Sequence, residues 1–212
     1  MDLIEYYHRR AASYDNLYHR GERKETLDEV AGILQKIFSG KEVMEIACGT
    51  GYWTERIAHT ATSIFAIDIN EAMLNIAKAR TYAENNVTFS SGDFYRLKLQ
   101  KKFESLFAGF IWSHIPLQEL DDFVQLMQSY VASNGELVFI DNNFVEGSST
   151  PIVRTDEFGN TYQQRKLEDG ETFTIIKNFP DEKFIREKLE GKVQLLNFIK
   201  LKYYWILHFQ EP

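Results

Sequence analysis

The chain has 212 residues, of which 44% are hydrophobic and 26% charged, as in an ordinary folded domain. This composition excludes disordered and collagen-like proteins. With 31 acidic and 24 basic residues the net charge is −7, so we expect no nucleic-acid partner. The single cysteine, Cys48, excludes an intrachain disulfide and a cysteine metal cluster.

The amino-terminal segment 1–10 is unlike a signal peptide, because Asp2, Glu5, Arg9 and Arg10 interrupt its apolar residues. No apolar run approaches the roughly 18 residues that a membrane-spanning helix needs. We therefore expect a cytoplasmic protein without membrane association, present as a monomer or a homodimer.

Up to Asp141 the predicted elements alternate between helices and strands. The first 20 residues predict a short helix and then a turn near 13–16. Apolar residues at helical spacing predict helices over 22–38, 52–59, 70–80 and 116–131. Short apolar runs predict strands over 43–47, 63–67, 86–90, 103–112 and 136–141. This alternation favours a parallel sheet with helices on both faces.

The pattern changes after Asp141. We expect a loop over 142–160, then a hairpin of strands 161–166 and 172–178 around Asp169-Gly170. A helix is predicted over 181–189. Two strands over 193–199 and 203–210 must be antiparallel, because too few residues join them for a parallel crossover.

The strongest chemical signal is the loop Glu45-Ile46-Ala47-Cys48-Gly49-Thr50-Gly51, between a predicted strand and a helix. Glycines there permit tight turning and close approach of a ligand, although Thr54 replaces the third glycine of the dinucleotide-binding pattern. Asp68 ends the next strand, where a carboxylate accepts ribose hydroxyls, and Asp93 follows the third strand within reach of an adenine. Together these positions predict an adenosine-type ligand at one edge of the sheet.

Over residues 25–141 the sequence resembles the class I S-adenosylmethionine-dependent methyltransferases. VMEIACGTGYWT resembles the first motif of that family, with Ala47 in place of its usual first glycine, and AIDIN and SGDFYRL resemble the second and third motifs. The resemblance implies a Rossmann-like, doubly wound α/β fold. We expect a mostly parallel seven-stranded sheet with a reversed terminal strand, plus a β-hairpin insertion.

The resemblance also implies S-adenosylmethionine as the cofactor and assigns parts of the molecule to residues. Glu45 and the backbone of 47–51 would meet the methionine moiety, Asp68 the ribose and Asp93 the adenine, with Trp112 and neighbours under the sulfonium. The expected cofactor-binding residues are Tyr14, Glu45, Ala47, Cys48, Gly49, Thr50, Gly51, Trp53, Asp68, Ile69, Met73, Asp93, Phe94, Trp112 and Ser113.

The implied reaction is direct displacement of the methyl group onto an O, N or S atom of a small-molecule acceptor. His114 is the candidate general base, because an unperturbed imidazole titrates near pH 6.5, and the alternative is that it caps a helix or lines the pocket. A thiolate or neutral amine acceptor needs no base. The expected substrate-binding residues are Tyr7, His114, Asn142, Arg154 and Arg165, the arginines for an anionic acceptor.

No metal is expected: Asp141-Asn142-Asn143 resembles half of a catechol-type metal site, but Trp112-Ser113 offers no opposing carboxylate. The same segment lacks the Asn/Asp-Pro-Pro-aromatic signature of enzymes that methylate base or amide nitrogens. Four parts of a single domain are expected: a helical lid over 1–24, a cofactor-binding core over 25–141, an insertion over 142–180 and a terminal unit over 181–212. The insertion is a substrate cover, a dimer contact or a structural flap. Two alternatives remain open, a noncatalytic module with this fold and an NAD-dependent oxidoreductase.

Overall fold

The computed structural model describes residues 3–82 and 85–212. The helices are α1 (Leu3–Arg10), α2 (Lys24–Phe38), α3 (Tyr52–Ala58), α4 (Glu71–Lys78), α5 (Leu120–Ser129) and α6 (Glu182–Leu189). The strands are β1 (Glu42–Ile46), β2 (Ser63–Asp68), β3 (Val87–Ser91), β4 (Phe103–Gly109), β5 (Val131–Asn142), β6 (Ile152–Thr155), β7 (Thr161–Lys166), β8 (Thr172–Ile176), β9 (Gln194–Lys200) and β10 (Tyr204–Gln210).

Seven strands form one sheet in the order β3-β2-β1-β4-β5-β10-β9. The pairs within β3-β2-β1-β4-β5 are parallel, whereas β10 runs antiparallel to both β5 and β9. The chain winds outward from β1 to β3 and then returns to place β4 on the other side of β1. This reversal opens a crevice at the carboxyl ends of β1 and β4, where open α/β sheets bind ligands. The predicted mostly parallel sheet with a reversed strand is confirmed.

Apolar clusters cover both faces of the sheet. Val43 packs with Leu34 of α2 in one cluster, and its neighbour Met44 packs with Phe123 of α5 in the other. Successive side chains of a strand point to opposite faces, so β1 is buried on both sides. The prediction of a doubly wound sheet is therefore confirmed. None of the helices in the described part of the chain is long and apolar enough to cross a membrane.

The structure differs from several of the predicted elements. The predicted helix over 116–131 contains α5 only from Leu120, α4 ends at Lys78 and β8 ends at Ile176. β4 ends at Gly109 rather than at residue 112. Val131 belongs to β5 and not to the preceding helix, and the pairing of β4 with β5 shifts register near Asn134, which has a φ of 62°. The predicted loop over 142–160 contains β6, so the predicted β7–β8 hairpin is present within a three-stranded antiparallel sheet.

The amino-terminal segment lies across the carboxyl edge of the sheet. The predicted turn after α1 is a 3-10 helix over Ala11–Leu17. Asp15 of this helix accepts a hydrogen bond from the Thr50 hydroxyl at 2.5 Å and pairs with Arg80. Arg9 of α1 pairs with Glu171, in the turn between β7 and β8, at 2.6 Å. The segment therefore joins the glycine loop to the insertion.

Candidate functional site

A cleft of about 330 Å³ lies at the carboxyl ends of the first four strands; we call it the main cleft. Ligand sites for small molecules commonly have volumes of about 300–1,000 Å³. The predicted site residues that line it are Tyr7, Tyr14, Ala47, Gly49, Asp68, Ile69, Met73, Asp93, Phe94 and His114. Residues far apart in the sequence thus meet at the sheet edge that the motifs predicted.

The glycine loop forms the floor of the main cleft. Ala47, Gly49 and Gly51 all have left-handed backbones, with φ values of 53°, 57° and 77°. Ala47 thus adopts the conformation of the glycine it replaces, at a cost of roughly 1–2 kcal/mol. A Cβ on Gly51 would lie 2.6 Å from the Tyr82 hydroxyl, so only glycine fits against that side chain. Gly51 therefore shapes the loop and does not itself line the cleft.

Asp68 lies at the end of β2 with its carboxylate facing the loop. One oxygen accepts a hydrogen bond from the backbone N–H of Gly49 and the other from that of Asn70, both at 2.8 Å. Burial raises the pKa of Asp68, and these two N–H donors partly offset that effect. A carboxylate has about four lone-pair positions, so Asp68 keeps capacity for donors in the cleft. Asp68 can therefore bind hydroxyl groups without giving up its structural contacts.

An apolar slot lies at the far end of the main cleft, beside Asp93. Ile69 and Tyr95 line the slot, and their side chains are 43% and 51% exposed. Asp93 accepts a hydrogen bond from the Tyr95 N–H at 2.9 Å and lies 3.5 Å from the Arg96 guanidinium. Uncovered apolar side chains beside an acceptor suit a flat heterocycle that carries an N–H donor.

A small chamber of about 20 Å³ lies behind the glycine loop; we call it the loop chamber. Its lining includes the predicted residues Glu45, Cys48, Thr50 and Trp53. Glu45 is only 2% exposed, and its Oε2 has no hydrogen-bond partner among the described residues. Burial raises the pKa of Glu45 to about 8. An unpaired buried carboxyl oxygen is costly, so this position is suited to a cationic ligand group.

A third cavity, of about 90 Å³, lies between the main cleft and the insertion; we call it the arginine chamber. Its lining includes Arg10, Arg20, Arg23 and the predicted residues Asn142 and Arg165. It shares with the main cleft the walls formed by Tyr7, Tyr14, Phe110 and His114. The two cavities are therefore neighbours across this wall.

His114 belongs to the shared wall and is held on both ring nitrogens. Nδ1 lies 2.7 Å from the carbonyl oxygen of Ile176, so Nδ1 carries the proton, and Nε2 accepts from the Tyr7 hydroxyl at 2.9 Å. Burial and the nearby Lys177 ammonium lower the pKa of His114 to about 3. An imidazole this weakly basic is a poor proton acceptor at neutral pH, so the environment argues against the expected role as general base.

Two other predicted residues lie beneath the cavities. Trp112 is 1% exposed and packs edge-to-face against Phe139 and Trp205 in the core. Ser113 is fully buried, and its hydroxyl accepts a hydrogen bond from the Lys177 ammonium at 2.6 Å. The expectation that both residues lie under a sulfonium is therefore wrong. The reason is that β4 ends earlier than predicted, so the chain turns these side chains into the core.

Phe110, and not Trp112, lines the main cleft. It has a φ of 60°, which is uncommon for a bulky residue, and its N–H donates to the Ile140 carbonyl at 2.8 Å. Among the described residues, Phe110 and Tyr14 alone line the main cleft, the loop chamber and the arginine chamber. Strained backbone is frequent at functional sites, but no signal in the sequence identifies a positive φ at a phenylalanine.

Two further residues singled out from the sequence, Arg154 and Asp141, make contacts within the protein. Arg154 lies outside the arginine chamber with its guanidinium 3.9 Å from the Tyr162 ring centroid. Asp141 is buried and pairs with the Lys177 ammonium at 2.9 Å, which ties the end of β5 to the insertion. Within residues 3–82 and 85–212, no group of three or more His, Cys, Asp or Glu side chains is arranged to hold a metal ion.

Comparison with known proteins identifies relatives with named activities. Residues 43–135 match the family described as "Methyltransferase domain". A malonyl-[acyl-carrier protein] O-methyltransferase of Bacillus cereus is 27% identical over 199 residues, which cover 91% of this chain and 65% of that protein. The Bacillus cytotoxicus enzyme of the same name is 29% identical over 202 residues, covering 92% and 63%. The chain thus spans slightly less than two thirds of these relatives.

Solved structures show the same fold. The structure described as the DhpI-SAM-HEP complex has a TM-score of 0.77 and 23% identity, and the match covers 99% of this chain and 95% of that one. The PH0226 protein of Pyrococcus horikoshii OT3 has a TM-score of 0.75 and 18% identity, covering 98% and 99%. The likeness therefore extends over the insertion and both terminal segments, not only over the nucleotide-binding half.

Proposed function

We propose that the chain is a class I S-adenosylmethionine-dependent methyltransferase and that it transfers the methyl group of this cofactor to a small-molecule acceptor; the matched methyltransferase domain and the named relatives support this. The observation that carries the proposal is the placement of Glu45, Asp68 and Asp93 along neighbouring cavities at one sheet edge. In this proposal the three acids would meet the amino-acid end, the ribose and the adenine of one molecule. Both Bacillus relatives are named O-methyltransferases, which favours oxygen as the acceptor atom.

The residues present fit this cofactor. Asp68 would accept the two ribose hydroxyls on its remaining lone pairs, and Asp93 the adenine amino group. Ile69 and Phe94 would cover the faces of the adenine, and burying a large apolar side chain stabilises by about 1.5–3 kcal/mol. The orphaned Oε2 of Glu45 would receive the ammonium of the methionine moiety.

The reacting end of the cofactor would lie beside Tyr14 and Phe110. Since these two rings line all three cavities, they mark the point where the amino-acid end, the nucleoside and the acceptor meet. Aromatic faces attract cations, so both rings favour a sulfonium there. The bound cofactor supplies an activated methyl carbon, and the contribution of the protein is binding and alignment, which is worth roughly 7–11 kcal/mol.

The amino-terminal segment would exclude water from this meeting point. Tyr7 and Tyr14 lie over the cavities, and Asp15 bonds to Thr50 of the glycine loop. A ligand that reaches the floor of the main cleft must displace or bypass this segment. We therefore propose residues 3–17 as a lid that opens for exchange and closes for reaction.

The proposal is tested by calorimetric titration with S-adenosylhomocysteine, the demethylated product. Asp68→Asn should weaken binding roughly ten- to hundredfold, because hydrogen bonds to a charged group contribute about 1.5–3 kcal/mol. Asp122→Asn, an exposed acid on α5, is the matched control and should bind as the natural protein does. Absence of binding contradicts the proposal, and binding without turnover on any acceptor supports the noncatalytic alternative. Thermal melts check that both variants are folded.

A further inference from the structure

The arginine chamber has an unusual charge for this acidic protein. Arg10, Arg20, Arg23, Arg165 and Lys177 line a cavity of about 90 Å³, and none of its described lining residues is Asp or Glu. The net charge of the whole chain is −7, so this cluster runs against the overall balance. Several cations around a small cavity repel one another unless an anion lies between them.

Two of these cations have carboxylate neighbours and three do not. Lys177 pairs with Asp141, and Arg23 lies 3.7 Å from Glu22. Arg10, Arg20 and Arg165 have no carboxylate within 4.0 Å in the described part of the chain. Three guanidinium groups at this cavity therefore have no ion-pair partner among the described residues.

Arg165 is the most constrained of the three. It lies on β7, its Nη2 donates to the side-chain carbonyl of Gln163 at 2.5 Å, and its Nε is buried without a partner. Burial lowers the pKa of its guanidinium, and the charges of Arg10 and Arg20 act in the same direction. A buried N–H without an acceptor is costly, and an oxyanion in the chamber would supply that acceptor and the missing charge.

The wall between the chamber and the main cleft offers no efficient proton acceptor. The charged and titratable groups around His114 are Tyr7 from α1, Asp141 from β5, Arg165 from β7 and Lys177, which directly follows β8. Burial and Lys177 lower the pKa of His114, and burial raises that of Tyr7. Asp141 is engaged by Lys177 and by the Ser113 N–H. An acceptor that arrives already ionised needs no base here.

We propose that the methyl acceptor is a small oxyanion, a carboxylate or phosphoryl group, held in the arginine chamber by Arg165 with Arg10 and Arg20. The inference rests on the proposed function and names its substrate class. An anionic oxygen of the acceptor forms a bond to the methyl carbon while the carbon–sulfur bond breaks, and that bonding pair remains on sulfur. The products are a methyl ester and S-adenosylhomocysteine, and no proton is transferred.

The test begins with binding and does not depend on turnover. The protein saturated with S-adenosylhomocysteine is titrated with succinate, with inorganic phosphate and with neutral succinamide. We expect at least one anion to bind and succinamide to bind at least tenfold more weakly; the better of the two anions distinguishes the carboxylate from the phosphoryl class. Equal binding of succinamide and the anions contradicts the proposal.

Two variants and a matched control locate the anion. Arg165→Gln should weaken anion binding at least tenfold, and Arg20→Gln, at an exposed position, should weaken it severalfold without risk to folding. Arg154→Gln lies on the same insertion but outside the chamber and should leave binding unchanged. Equal anion affinity in Arg165→Gln and Arg154→Gln overturns the assignment.

The product gives a separate readout. With methyl-labelled S-adenosylmethionine and the anion that binds, the label should be found on an oxygen atom of the acceptor. A carboxylate gives an alkali-labile ester that releases the label as methanol, whereas a phosphoryl acceptor gives an alkali-stable methyl ester. Label bound to nitrogen, sulfur or carbon of the product contradicts an oxyanion nucleophile. If the protein binds anions but not S-adenosylhomocysteine, the proposed function fails, whereas cofactor binding without anion preference overturns only this inference.

Discussion

Proton release on ligand binding tests whether Glu45 forms part of the cofactor site. The Glu45 carboxyl is buried, its pKa is raised to about 8, and its Oε2 has no partner in the described structure. If the ammonium of the cofactor binds there, the carboxyl must ionise as the ligand enters. Binding at pH 7 should then release a proton, and Glu45→Gln should abolish that release.

The size of the effect follows from the burial of Glu45. With a pKa of about 8 the carboxyl is about 90% protonated at pH 7 in the free protein. An ammonium about 4 Å away at an effective dielectric constant near 20 contributes about 4 kcal/mol, roughly a thousandfold in the ionisation constant. The bound form is then a carboxylate, and close to 0.9 proton leaves per ligand. Ionising the Glu45 carboxyl at pH 7 costs roughly tenfold in affinity, so the carboxylate contributes about a hundredfold net. Glu45→Gln should lose this net contribution.

The direction in which the ligand affinity changes with pH follows from the same reasoning. Because protons are released, affinity rises with pH, close to tenfold per pH unit between pH 6 and 7.5, and the slope vanishes in Glu45→Gln. Calorimetry with S-adenosylhomocysteine in two buffers of different ionisation enthalpy measures the released protons. Glu42→Gln is the matched control, since Glu42 lies on the same strand and pairs at the surface with Lys101. Proton release that persists in Glu45→Gln, or is absent from the natural protein, would refute the reasoning.

Two other predictions concern the glycine loop and the lid. Gly51→Ala should destabilise the protein by about 1–3 kcal/mol more than Gly40→Ala, since both have a positive φ but only Gly51 faces Tyr82. Denaturant unfolding measures the difference, and equal losses contradict the packing argument. Asp15→Asn removes the charge that faces Arg80, so amide exchange over 11–17 should quicken while α6 is unchanged. Unchanged exchange over 11–17 contradicts the role of this pair.

The sequence predicted the features that are local to one segment. The motif around Gly49 and the acid Asp68 each follow a short apolar strand, so their positions at one sheet edge follow from the parallel arrangement. The alternation of helices and strands up to Asp141 likewise predicted a parallel sheet with helices on both faces. These signals depend on neighbours in the chain, which is why they can be read without a structure.

Other features depend on where the chain turns in space. The apolar run 103–112 gave no sign that β4 ends at Gly109, so the prediction assigned Trp112 to the site in place of Phe110. β6 was missed because all of its residues are exposed and lack an alternating apolar pattern. The arginine chamber joins Arg10 to Arg165 across most of the chain, and only the folded structure brings those charges together.

The central claim is that a methyl group passes from S-adenosylmethionine to an acceptor at the wall formed by Tyr14 and Phe110. Its most direct test is mass spectrometry after incubation with methyl-labelled S-adenosylmethionine and a panel of small carboxylates and phosphoryl compounds. The account predicts equal amounts of labelled acceptor and S-adenosylhomocysteine with the natural protein, and roughly ten- to hundredfold less of both with Asp68→Asn when the cofactor is well below saturation. No labelled acceptor from any compound, at concentrations that saturate the cofactor site, would contradict it.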